Sequence, residues 1–240
     1  FGTLQWSADI AFPEDKNSKN KLIEILVTIL SIAFAISLFI FLPLGMTTLL
    51  FNAEQDPIFF NIISGLCRII IFLVYLFLIS FTADAKRLFQ YHGAEHKVVY
   101  AFENGDDLVV DNATKYPTQH PRCGTSFMFI VMLVTILSFM LIDRIFIEIY
   151  GSITLINRLL LHIIMIPIVS GIGYEILKFS AQYHKNILLK YFVKPGLWLQ
   201  NITTKKPDES QIEVSIEALK SAFGNTMIQH QGKKHIADAI

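Results

Sequence analysis

Four long apolar runs constrain this chain more than any other feature. Ile25–Leu44 contains no charged residue, and Phe59–Phe81 contains only Arg68. Phe127–Ile142 is shorter and also free of charge, and Ile153–Leu177 carries Arg158, His162 and Glu175. A helix needs about 20 mostly apolar residues to cross a hydrocarbon layer of about 30 Å. None of the runs alternates with a period of two, so they read as helices and not as barrel strands. The first run is too long, and too far from a basic start, for a cleaved signal peptide. Composition agrees: 53% of the 240 residues are hydrophobic and 17% are charged, against about 25% charged in a soluble domain. The expected fold is all-α, a polytopic membrane helix bundle with about four transmembrane helices.

Lysine and arginine placement gives an expected orientation. Lys16, Lys19 and Lys21 precede the first run; Lys86, Arg87, Lys97, Lys115 and Arg122 lie between the second and third; nine more lysines follow residue 177. Residues 45–58 have none and 143–152 have only Arg144. Basic loops stay inside, which puts both termini and the 82–125 loop in the cytoplasm of a multi-pass cell-membrane protein. The expected organisation is an N-terminal segment over 1–21, a transmembrane domain over 22–178 with its 82–125 loop, and an interfacial and cytoplasmic region over 179–240. A start at Phe1 and not Met leads us to expect further sequence upstream. Formal net charge is zero, which gives no reason to expect a nucleic-acid partner. Cys67 in an apolar run and Cys123 in a polar loop do not make a disulfide framework.

Residues 82–103 should continue as a helix that Asn104-Gly105-Asp106-Asp107 breaks, and 104–125, with Pro117, Pro121 and Gly124, read as loop. Tyr183, Tyr191, Phe192 and Trp198, interleaved with Lys185, Lys190 and Lys194, suit a segment at headgroup level. Asp208 and Gln211 make a capping pattern, followed by Ile212, Ile216, Leu219 and Phe223 on one face of a C-terminal amphipathic helix. The polar tail after Gly224 is expected to fray.

The chemistry concentrates in His92-Gly93-Ala94-Glu95-His96. On a helix, histidines at i and i+4 share a face and can share one metal ion. Glu95 stands in the order of the H-x-x-E-H inverted zinc-protease motif, where the acid is the catalytic general base. His120 and Cys123, three apart, are again ligand-like, with Cys123 binding as thiolate. Donors of this kind favour zinc. Alternatively, His92 and His96 cover an interfacial helix and Cys123 is a small buried residue. Four protein ligands would make a structural site, and three a catalytic one.

Glu175 reaches the same depth as this loop, as an interfacial cap, as a group orienting a ligand histidine, or as a further ligand. Gly171 and Gly173 beside it would let a neighbouring helix approach. Arg68, Arg158 and His162 lie toward the other end of their spans. They either snorkel to headgroups or form a basic pocket for a phosphate or other anion.

The run Phe89–Val98, with Arg122–Phe127 and the preceding His120, resembles the YqhQ family of bacterial membrane proteins. So do Gly171–Glu175, Pro195–Gln200 and Thr203-Thr204 through Gln211–Val214. The resemblance implies a metal-dependent enzyme in a bacterial cell membrane and strengthens His92, Glu95, His96, His120 and Cys123 as a set. Members also begin with a Gly-rich stretch like G-G-Q-A-V-M-E-G-V-M, which is not found here and could complete the site. Two functions follow as expectations. One is a zinc-dependent hydrolase acting on a lipid or membrane peptide. The other is a channel, transporter subunit or assembly component, with a membrane-protein partner or a second copy, and the His/Cys group as a clasp.

Overall fold

The computed structural model describes residues 21–51, 56–182 and 187–235; Lys16, Lys19, Tyr183 and Lys185 of the expectations above lie outside them. The chain divides into two compact units, 1–42 and 43–240. In the first, α1 (Lys21–Ile36) leads into a π-helical turn at Ser37–Phe41. Its apolar side chains, Leu26 and Phe34 among them, are largely exposed, as a lipid-facing helix requires.

The second unit contains α2 (Leu42–Phe51), α3 (Pro57–Ile79), α4 (Ala83–Asn104), α5 (Val110–Thr114), α6 (Gly124–Tyr150), α7 (Leu155–Gln182), α8 (Ile187–Thr203), α9 (Glu209–Phe223) and α10 (Met227–His230). No strand occurs among the described residues. Four segments are long and apolar enough to cross a membrane: Ile25–Phe51, Pro57–Ile79, Phe127–Tyr150 and Leu155–Ile176. The all-α membrane bundle is therefore the fold. Within the second unit α6 is central, packing against α3, α7 and α8. Gly65 and Gly173 permit this, because a Cβ at either would meet Ile136 or Val131 of α6. Gly171 does not contribute, since open space faces it.

The third span runs on to Tyr150 and does not stop at Ile142. The reason is that Asp143 is not a solvated stop signal. It is fully buried, and it accepts hydrogen bonds from Asn61 Nδ2 at 2.6 Å, Arg158 Nε at 2.8 Å and His162 Nε2 at 2.9 Å. The Arg158 guanidinium lies 3.7 Å from the centre of the Phe60 ring, and His162 stacks on Phe139. Arg158 therefore neither snorkels nor joins a purely basic pocket; an acid sits between it and His162. Arg68 is half-buried, 6.0 Å from the Phe139 ring.

A separate core forms from α4, α5, α9 and α10, with Ala94, Val98, Ala101, Ile212, Ile216 and Met227 buried together. Helix α4 begins at Thr82, whose hydroxyl accepts from Ala85 N, and ends at Gly105 in the left-handed conformation. Helix α9 starts with the expected capping box of Asp208 and Gln211. The tail does not fray through 235. Met227 enters the core, His235 N donates to the Glu103 carbonyl at 2.9 Å, and its ring stacks on Phe102. Apolar contact and one backbone bond outweigh the polar composition there.

Candidate metal centre

His92 and His96 sit one turn apart on α4, their ring centres 4.4 Å apart. Each ring is oriented by a backbone carbonyl. His92 Nδ1 donates to Thr203 O at 2.8 Å, and His96 Nδ1 donates to Thr118 O. A carbonyl oxygen can only accept, so Nδ1 carries the proton in both rings and Nε2 is left as the electron-pair donor. Cys123 caps the start of α6 and lies 3.1 Å from His92 Nε2. The three donor groups of His92, His96 and Cys123 all fall within 4.8 Å of one another.

The surrounding chain holds this arrangement in place. Gly93 is needed because a Cβ there would strike the carbonyl oxygen of Lys205. That close approach lets Lys205 N donate to Phe89 O at 2.8 Å and brings Thr203 to His92. The loop after α5 is drawn onto α4 by Lys97, whose ammonium donates to the carbonyls of Thr114 and Tyr116. Burial and then the charge of Lys206 pull the Lys97 ammonium below its usual range.

Burial alone would raise the Cys123 thiol. Hydrogen bonds with His92, His96 and Thr125 outweigh it and bring the group down to about 5. The start of α6 adds its dipole. Burial likewise opposes charge on His92, but its bonds to Cys123 and Thr203 raise it above the ordinary imidazole value. Without a metal, both shifts run toward the charged forms, imidazolium for His92 and thiolate for Cys123.

His120 stands beside the group and makes other bonds. Its ring centre is 5.6 Å from that of His96. Its Nδ1 accepts from Arg122 N, and its Nε2 donates to Glu103 Oε2, both at 3.3 Å. Arg122 also pairs with Glu103. Burial pushes Glu103 up, but His120 and Arg122 hold its carboxyl below the usual range. Gln200 brackets the His120 backbone, accepting from its N–H at 2.7 Å and donating to its carbonyl at 2.8 Å. His120 thus works as a clasp between α4, α6 and α8.

Glu95 is exposed and shares a cavity of 720 Å³ with His92, Thr125 and Thr203. Glu175 lines a different cavity, with Gly171 and Phe179, and it is backbone carbonyls that orient the histidines. Arg158 belongs to the Asp143 network within the spans, and Arg68 lies near the Phe139 ring on which His162 stacks. Reading of the sequence did not single out Asp143, Asn61, Glu103 or the Thr118 and Thr203 carbonyls. An acid directly after an apolar run, with an arginine early in the next span, was the available signal for Asp143.

Comparison with known proteins gives the family without an activity. A family described as "Protein of unknown function (DUF1385)" matches residues 1–225. The uncharacterized protein YqhQ of Bacillus subtilis (strain 168) is 34% identical over 172 residues, 72% of this chain and 52% of that relative. The chain spans about half the length of this curated relative. No solved structure matches it. With the match extending from Phe1 through His92, His96 and Cys123 to α9, this chain belongs to the DUF1385 family.

Proposed function

We propose that this protein is a membrane-embedded metalloprotein in which His92, His96 and Cys123 hold zinc at the cytoplasmic face of a bacterial cell membrane, as a hydrolytic site. One observation carries the reading: both histidines spend Nδ1 on a backbone carbonyl and turn the remaining donor toward a low-pKa cysteine. Carbonyl-oriented imidazoles are the usual support of metal ligands. Two imidazoles and a thiolate suit zinc better than magnesium or calcium, and three protein ligands are the count of catalytic sites. The lysine and arginine bias supports the cytoplasmic placement of this face and of both termini.

A bound zinc would supply Lewis acidity toward a carbonyl or phosphoryl group. The chain's own part follows from this reading. Glu95, three residues after His92 and lining the same cavity, would take a proton from an attacking water and return it to the leaving group. Thr125 lines the cavity beside Cys123 and could hold a substrate oxygen. The Glu103–His120–Arg122 clasp fixes the loop that carries Thr118 and Cys123.

Elemental analysis of protein purified without chelator is the test. We expect one zinc per chain, absent from a His92→Ala/His96→Ala double variant and retained in Glu95→Gln. Protein with no bound transition metal would sink the reading. A second reading, a transport or assembly component with the His/Cys group as clasp, is favoured by the buried Asp143–Arg158–His162 network. Function that survives Glu95→Gln would select it.

A further inference from the structure

The cavity beside His92 is lined by two kinds of group. His92, Glu95, Thr125 and Thr203, with Tyr91 and Ser215, contribute its polar groups, and the bonds His92–Thr203, His92–Cys123 and Cys123–Thr125 keep three of the first four together. The rest is mainly aliphatic: Leu76, Leu88, Val98 and Val99 on one side, Val214 and Ala218 of α9 on the other. Leu88 and Val214 are more than half exposed. Leu76 belongs to the candidate span Pro57–Ile79. The apolar wall is therefore continuous with a surface that meets lipid.

We propose that this cavity takes one long aliphatic chain of a bilayer lipid and presents the polar end of that lipid to His92, Glu95 and the adjoining metal group. The inference rests on the metal-site reading only for the claim that the polar end is what reacts. Its volume, 720 Å³, falls within the range of about 300–1,000 Å³ typical of small-molecule sites. A peptide fits the walls poorly. An extended peptide brings an N–H and a C=O with every residue. The walls are helices whose backbone groups are already bonded, with no strand edge among the described residues to pair with it. Leaving such groups unpaired in an apolar cleft is costly, whereas an aliphatic chain asks for no partner.

The test uses the chain reconstituted in phosphatidylglycerol–phosphatidylethanolamine vesicles, with a benzophenone amino acid replacing Ala218 or, separately, Leu88. After illumination, mass spectrometry should show the chain plus one lipid at both positions. A Val99→Trp variant, which fills the cavity, should lower the adduct at Leu88 several-fold, while a Trp placed at Leu137 on the exposed face of α6 should not. Adducts only to a peptide, to a second copy or to another segment of this chain would overturn the proposal. So would a lipid adduct that Val99→Trp leaves unchanged. The His92→Ala/His96→Ala variant separates the two readings: the lipid adduct should persist when the metal is gone. A protein without metal but with the Val99-sensitive adduct would retain the cavity as a lipid site and lose only the zinc chemistry.

Discussion

The Nε2 of His92 lies 3.1 Å from the Sγ of Cys123, joining the middle of α4 to the first residue before α6. One partner therefore belongs to the extramembrane core and the other to the start of a membrane span. Any shift between the two would change the site before it changed either fold. The clasp at Glu103 and the bracket at Gln200 restrain that join from two sides.

Cys123 should remain a thiolate well into the acid range when the protein is metal-free. Its pKa of about 5 against an ordinary 9.0 means that the proton returns only as pH falls through about 5. In a Cys67→Ser background, iodoacetamide labelling plotted against pH should show a midpoint near that value. His92→Ala removes a hydrogen bond that favours the thiolate, so the midpoint should move upward. Added zinc should protect the thiol, because metal and alkylating agent compete for the same electron pair. A midpoint near 9 in the unaltered protein would contradict the geometry.

Glu103 supplies a separate pH dependence through its bonds to His120 and Arg122. Its carboxyl is held below the ordinary glutamate value of 4.5, so the folded state favours the ionised form. That contribution to stability is present above the unfolded value and is lost as pH falls through the lower folded one. Acidification below about 4.5 should therefore loosen the loop over residues 115–123. Hydrogen exchange at Cys123 and Thr118 should rise there. Glu103→Gln should raise exchange already at neutral pH and flatten its acid dependence. Unchanged exchange in that variant would remove the clasp from the account.

The features visible in the sequence are those whose cause is local. Four apolar runs declare themselves through transfer energy, and His92 and His96 meet because a helix repeats every 3.6 residues. The Asp208–Gln211 cap is equally local. What the sequence hides depends on distant partners. Asp143 looks like the end of a run until Arg158 and His162 are brought beside it from the next helix. His120 has ligand-like spacing to Cys123, yet its ring is engaged by Glu103 and Arg122 N. The tail looks free because nothing near it in sequence shows that Phe102 and the Glu103 carbonyl will gather it.

Gly93 connects fold to site in a way open to one substitution. A Cβ at this position would meet the Lys205 carbonyl oxygen, which belongs to backbone and cannot rotate away. Gly93→Ala should displace residues 203–206 and weaken the bond between His92 and Thr203. Overpacking of this kind costs about 1–3 kcal/mol. The affinity for zinc should fall together with stability, whereas Gly171→Ala, which faces open space, should change neither. Isothermal titration alongside thermal unfolding measures both. Retention of full affinity in Gly93→Ala would mean that Thr203 does not position His92.

The Asp143–Arg158 pair tests the span interior independently of the metal. Both side chains are fully buried, so neither charge has water to fall back on. Removing one partner of such a pair typically costs about 3–5 kcal/mol, because the other is left buried and uncompensated. Asp143→Ala and Arg158→Ala should each destabilise the protein on this scale in mixed-micelle unfolding. The double variant should lose much less than the sum, since it leaves no orphaned charge. Asn61 and His162 still need their acceptor, so the double variant should remain weaker than the parent. Simple additivity of the two losses would show that Asp143 and Arg158 act separately. The buried network would then be no reason for the third span to continue past Ile142.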